Sequence, residues 1–115
     1  MVNNITQGDI VYVNFNPSKG HEQKFHRPAL VISHDKVRDM SGISIVVPIS
    51  NTKREYPLYH ELKTTKKITG KALLDQSRVL DLKSRGLTQS KVVERVSKRE
   101  LKELIETYKL IFTVD

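Results

Sequence analysis

Between two apolar runs the chain carries Asn16-Pro17-Ser18-Lys19-Gly20-His21-Glu22-Gln23-Lys24-Phe25-His26-Arg27-Pro28, which gathers two histidines, a carboxylate and an arginine. A connection of this length is at the long end of what ordinary turns need, and its ionisable content argues for function. His21-Glu22 with His26 invites comparison with a zinc-binding helix. The spacing is His-Glu-x-x-x-His, one residue too long to set both rings on one helical face, and Pro17 and Gly20 oppose a helix there. No other His, Asp or Glu cluster has ligand spacing, and Gly-rich phosphate loops and nucleophile elbows are absent. The expectation is therefore a site with no metal and no cofactor.

Chemistry without a metal is still available to a basic protein acting on RNA, because the 2′-hydroxyl is a built-in nucleophile. It needs only a base, an acid and a cation near the phosphate. Arg27 can hold a phosphate bidentately, Glu22 or His21 can accept a proton, and the Ser50 hydroxyl can hydrogen-bond the scissile group. Asp75 follows an apolar strand and either faces solvent or turns into the site. An ion pair of Arg27 with Glu22 or Asp75 remains an alternative to catalysis, as does plain solvation for the histidines. Candidates for RNA contact are Lys19, Gln23, Lys24, His26, Asn51, Lys53, Arg54 and Gln76. Lys66 and Lys67 form a further basic loop, and Phe25, Tyr56 and Tyr59 are candidates for base stacking.

The elements that must position these residues follow from apolar periodicity. Asp9–Phe15 is β-branched and aromatic and reads as a buried strand. Ala29–Ser33 is a second, entered through Arg27-Pro28, where proline keeps Arg27 out of helical geometry. A short helical turn fits within residues 34–42. In Ile43–Ser50, Ile43, Ile45, Val47 and Ile49 share one face; Ser44, Val46, Pro48 and Ser50 share the other, less apolar one. Pro48 suggests an edge or a bulge. Weaker strands are expected over 58–63 and 92–96, a hairpin-like turn over 64–69, and two strands or one bent strand over 70–76 and 78–82. Ser97 and Glu100 fit a capping box, followed by an apolar stripe of Leu101, Leu104, Ile105, Tyr108, Ile111 and Phe112 at helical spacing. Five to seven short strands and a closing helix predict a mainly β fold, a small SH3-like barrel or strongly curved antiparallel sheet with a C-terminal α-helix.

The 115 residues suit a single domain, taken as 1–115. With 20 Lys and Arg against 13 Asp and Glu the net charge is +7, which suits a polyanionic partner. There is no cysteine for a disulfide framework, no basic, apolar N-terminal leader, and no apolar run long enough for a membrane span. A soluble, unexported protein is expected.

The motifs Gly8-Asp9-Ile-Val-Tyr-Val-Asn-Phe, Asn16-Pro17-x-x-Gly20-His21-Glu22-Gln23, His26-Arg27-Pro28-Ala29-Leu-Val-Ile, Val46-Val47-Pro48-Ile49-Ser50, Gly70-Lys-Ala-Leu-Leu-Asp75-Gln76 and Arg85-Gly86, in this order, resemble the MazF/PemK (Kid-like) toxin family. The resemblance spans nearly the whole chain. It implies a cytoplasmic, homodimeric, barrel-like endoribonuclease, the toxin of a type II toxin–antitoxin pair. Such a toxin cuts single-stranded RNA at short sequences without metal, leaving 2′,3′-cyclic phosphate and 5′-hydroxyl ends. The implied partner is an antitoxin whose acidic C-terminal segment covers the basic site and through which alone DNA is bound. Family roles carry over to Arg27 as catalytic cation and proton donor, and to Ser50, where a threonine usually contacts the scissile phosphate. Glu22 and Gln23 would shape the site, and in the Kid-like branch His21 and Asp75 also take part. That branch has an arginine two residues before the aspartate, where this chain has Leu73, so an Arg27-centred mechanism with Ser50 is preferred over an Asp75-centred one. The alternatives are a gyrase poison of the CcdB type, whose C-terminal tryptophan is missing here, and a non-catalytic SH3-like RNA-binding module.

Overall fold

A computed structural model describes residues 4–15 and 26–114. Among the described residues seven strands make one antiparallel sheet, β1 (Asp9–Asn14), β2 (His26–Val31), β3 (Ser44–Ser50), β4 (Tyr59–Glu61), β5 (Lys71–Leu73), β6 (Arg78–Leu80) and β7 (Glu94–Arg95). Their order is β4-β5-β3-β2-β1-β7, and β6 also pairs with β3. The described residues also form the helices α1 (Asp35–Ser41) and α2 (Lys98–Lys109). No helix among the described residues is long and apolar enough to cross a membrane.

Strand alternation divides the core between the two faces. Ile10, Leu30, Val47, Ile49 and Ala72 lie with Leu74 and Leu104 in one buried cluster, which α2 covers with Leu101, Ile105 and Tyr108. Val11, Val13, Ala29, Val31 and Val46 form a second with Ile5, Leu80 and Leu82. Each large side chain so buried contributes roughly 1.5–3 kcal/mol. The second, less apolar face of β3 is thus buried over most of its length, because Ile5 before β1, Leu80 of β6 and Leu82 after it cover it. It opens only towards Pro48 and Ser50.

β3 is central rather than an edge, and Pro48 marks a bulge on its far side. Ile49 faces Ala72 of β5, whereas Val46, three residues back, faces Arg78 of β6, six residues on. The surplus of three residues is the 3-10 turn Leu74–Gln76. Ile32 donates its N–H to Ile45 O at 2.9 Å, so by alternation the backbone groups of Val46, Pro48 and Ser50 point towards β5 and β6. The N–H that proline lacks is therefore missing where the ladder steps from one partner strand to the other.

The capping box of α2 is half formed. Ser97 Oγ accepts the Glu100 N–H at 3.1 Å, but the Glu100 carboxylate does not return to the helix start. It takes the His60 ring (2.7 Å), the N–H groups of Lys63 (2.8 Å) and Thr64 (2.9 Å) and the Thr64 hydroxyl, while the Ser97 N–H goes to Thr64 Oγ1 at 3.1 Å. The chain after β4 offers this carboxylate more donors than its own cap could. The apolar stripe also ends early: Ile111 and Phe112 lie in a 3-10 turn after α2 and are exposed.

Candidate active site

Arg27 is the second residue of β2, since the strand begins at His26, three residues before the predicted Ala29. The register places Ala29 opposite Pro48 on β3 and Val31 opposite Val46. Continued by two residues, it sets Arg27 level with Ser50, on one face of the sheet. Pro28 and Pro48 each withhold an N–H from a border of β3 here, and the ladder between β2 and β3 stops at Ala29–Pro48. A cavity of about 370 Å³ opens at this point, lined by Phe15, Arg27, Pro48, Leu73, Gln76, Ser77 and Arg78. The Ser77 hydroxyl is hydrogen-bonded to the Tyr108 hydroxyl at 2.9 Å, which ties one wall of the cavity to α2.

Arg27 is exposed and has no ion pair with a described residue. In particular it does not pair with Asp75, which is exposed on the 3-10 turn and outside the cavity lining, whereas its neighbour Gln76 is part of that lining. Leu73, where the Kid-like branch has arginine, gives the cavity an apolar wall. Ser50 lies beyond Pro48, and its Oγ accepts the Thr52 N–H at 3.2 Å. His26 occupies the alternate strand position and borders a different cleft with Tyr12, Asn14 and Arg85. Lys19, His21, Glu22, Gln23, Lys24 and Phe25 lie outside the described residues.

The loop after β3 is held in place from beneath. Lys71, buried on β5 opposite Ser50, donates its ammonium to Arg54 O at 2.8 Å and pairs with Glu55 at 3.2 Å. Arg54 lies over the Tyr56 ring at 4.8 Å, and Tyr56 meets Tyr59 edge to face at 5.0 Å. The two tyrosines thus pack on each other and on Arg54. Asn51, Lys53 and Arg54 are all exposed. Gly70, at φ +123°, passes so close to Ser50 that a Cβ there would stand 2.5 Å from the Ser50 carbonyl oxygen.

Two carboxylates brace the sheet's far end. Burial pushes Glu100 up, but hydrogen bonds from the Thr64 hydroxyl, His60 and the Lys63 and Thr64 amides outweigh it and hold it below the usual carboxylate range. Desolvation likewise opposes Glu94, and the amides of Lys66, Ile68 and Lys67 overcome it, so its pKa is also lowered. The backbone of Lys66-Lys67 is thus committed to Glu94. Among the described residues no three His, Asp or Glu side chains group as a metal site.

Three contributors escaped sequence reasoning: Phe15, Lys71 and Arg78. The face Arg78 presents depends on the three-residue step in register, which no periodicity within β6 reveals. Lys71 sits in an apolar strand pattern where a lysine gave one signal, its charge, without a partner.

The chain matches the family model of PemK-like, MazF-like toxins of type II toxin–antitoxin systems over residues 6–112. It belongs to that family. Among curated members of the PemK/MazF family, the endoribonuclease toxin MazF of Escherichia coli K12 is 34% identical over 86 residues, covering 75% of this chain and 77% of that protein. The endoribonuclease toxin ChpB of the same strain is 38% identical over 101 residues, covering 76% and 84%. In three dimensions the chain resembles crystalline MazF from Deinococcus radiodurans, with a TM-score of 0.76 and 28% identity over 95% of this chain and 96% of that one. A MazF chain crystallised with MazE from that organism shares the fold, with a TM-score of 0.74, 22% identity and coverage of 97% and 98%.

Proposed function

We propose that this PemK/MazF-family toxin is an endoribonuclease that cleaves single-stranded RNA without a metal ion, with Arg27 as its principal catalytic group. The 2′-hydroxyl attacks the adjacent phosphorus, its proton passing to a base, and the bond to the 5′-oxygen breaks as that oxygen gains a proton. The products are a 2′,3′-cyclic phosphate and a 5′-hydroxyl. Arg27 meets the charge that develops on the phosphoryl oxygens, where a fixed cation stabilises the transition state more than the ground state. The Ser50 hydroxyl hydrogen-bonds the same phosphate. Glu22, His21 and Asp75 are the candidate bases.

The observation that carries this reading is the guanidinium of Arg27, unpaired among the described residues and on the same sheet face as Ser50, beside a cavity whose described lining contains no carboxylate. Relatives named endoribonucleases and the net charge of +7 support it. The working form proposed is a homodimer in the cytoplasm, restrained by an antitoxin with an acidic segment, consistent with the relative crystallised with MazE.

The test is incubation of purified protein with a long single-stranded RNA and a chelator, followed by end-group analysis. Defined cuts with 5′-hydroxyl ends are expected. Intact RNA, or cutting that needs added metal, overturns the reading.

A further inference from the structure

We propose that Arg78 is a second phosphate-binding residue, gripping the RNA backbone phosphate next to the one that is cleaved; this rests on the endoribonuclease reading above. Val46 pairs with Arg78 on β6 and with Val31 on β2, and Val31 shares its face with Arg27. Arg78 and Arg27 therefore rise from the same face, on opposite sides of β3, and both line the cavity. Arg78 is held there by aromatic and backbone contacts. Its guanidinium lies 5.7 Å from the Phe15 ring centroid and donates to Phe15 O at 3.4 Å. Its remaining N–H donors have no carboxylate among the described residues.

Two guanidiniums that share a cavity with no acidic residue in its described lining repel each other until an anion arrives. With the β2–β3 register carried two residues past Ala29–Pro48, Arg27 comes level with Ser50, while Arg78 pairs with Val46, four residues earlier on β3, or about 13 Å of strand at the usual rise. Backbones so far apart suit successive phosphates better than one shared phosphate. Between them Phe15, Pro48 and Leu73 offer an apolar wall to the intervening nucleoside, with Gln76 and Ser77 as its polar contacts.

The experiment measures binding, not cleavage, using a single-stranded 2′-O-methyl RNA oligonucleotide that cannot be cut. Affinity is followed against salt for wild type, Arg78→Ala and Arg78→Lys. Removing one phosphate contact should weaken binding about tenfold at low salt and make the log–log salt slope shallower by about 0.7. Arg78→Lys should keep the slope, since it keeps the charge. An Arg78→Ala slope equal to wild type, with thermal unfolding unchanged, overturns the assignment.

A second arm replaces single phosphates beside the mapped cut by uncharged methylphosphonates. One neighbouring position should weaken wild type and leave Arg78→Ala unaffected; equal losses for both proteins at every position overturn the proposal. Absence of cleavage with a changed slope sinks the nuclease reading and leaves the Arg78 contact standing. Failure of wild type to bind RNA sinks both.

Discussion

Ala29 and Pro48 are the last pair of the β2–β3 ladder, and the register carried on by two residues brings Arg27 level with Ser50, in a position where the two residues do not exchange backbone hydrogen bonds. The alternation set by Ile32 N–H to Ile45 O fixes this phase, and such pairs bring facing side chains closest. On the proposed mechanism a guanidinium and a hydroxyl from these two strands would approach one phosphate.

Replacing Arg27 by alanine should lower RNA cleavage by about 10²- to 10⁴-fold, the range of a positioned acid or base. Lysine should recover little, because it lacks the planar fork. Single-turnover rates on a defined RNA, with circular dichroism to confirm folding, check this. A folded Arg27→Ala protein with wild-type turnover removes Arg27 from the chemistry.

Gly70→Ala tests the support of Ser50. Its Cβ would stand 2.5 Å from Ser50 O, and the backbone at φ +123° disfavours any side chain. A loss of about 2–4 kcal/mol in chemical denaturation is expected. Cleavage should fall further than the folded fraction alone explains, since Ser50 must shift.

Lys71→Met keeps the buried stem and deletes the ammonium that holds Arg54 O and Glu55. The loop after β3 should then exchange its amides faster and become more sensitive to protease. RNA affinity should weaken while the cleavage rate at saturation changes little. Equal protease sensitivity in both proteins would show that the loop does not depend on Lys71.

Glu100 makes stability depend on acid. Its folded pKa is depressed, so its contribution is complete above the unfolded carboxylate value of about 4.3 and is lost as pH falls through the lower folded value. Glu100→Gln should unfold at lower temperature at neutral pH, by about 2–3 kcal/mol of stability, yet show a flatter decline between about pH 5 and pH 3. Parallel melting curves across that range for the two proteins contradict this.

Much of this architecture is legible from residue types. The alternation in β1, β2 and β3 gives both core faces, and the stripe from Leu101 to Tyr108 gives the helix that covers one of them. Arg27 stands out because a charged residue precedes proline at the start of an apolar run. What escapes is whatever depends on registry between distant strands. Arg78 joins Arg27 only because β6 pairs with β3 three residues out of step with β5, and Glu100 abandons its capping role only because Thr64 and His60 lie within reach. The less apolar side of β3 proved buried for a similar reason, since its cover comes from Ile5, Leu80 and Leu82, far away in sequence.

The turn Leu74–Gln76 also sets a rule for how this chain can change over time. Asp75 and Gln76 are exposed, so exchanging either side chain leaves the packing of the core unchanged. The length of the turn is not free, because losing or gaining one residue would invert the alternation of β6 against β3, sending Arg78 to the helix-covered side and Val79 into its place. Variation at this corner of the sheet should therefore be tolerated by the fold as spelling and rejected as length.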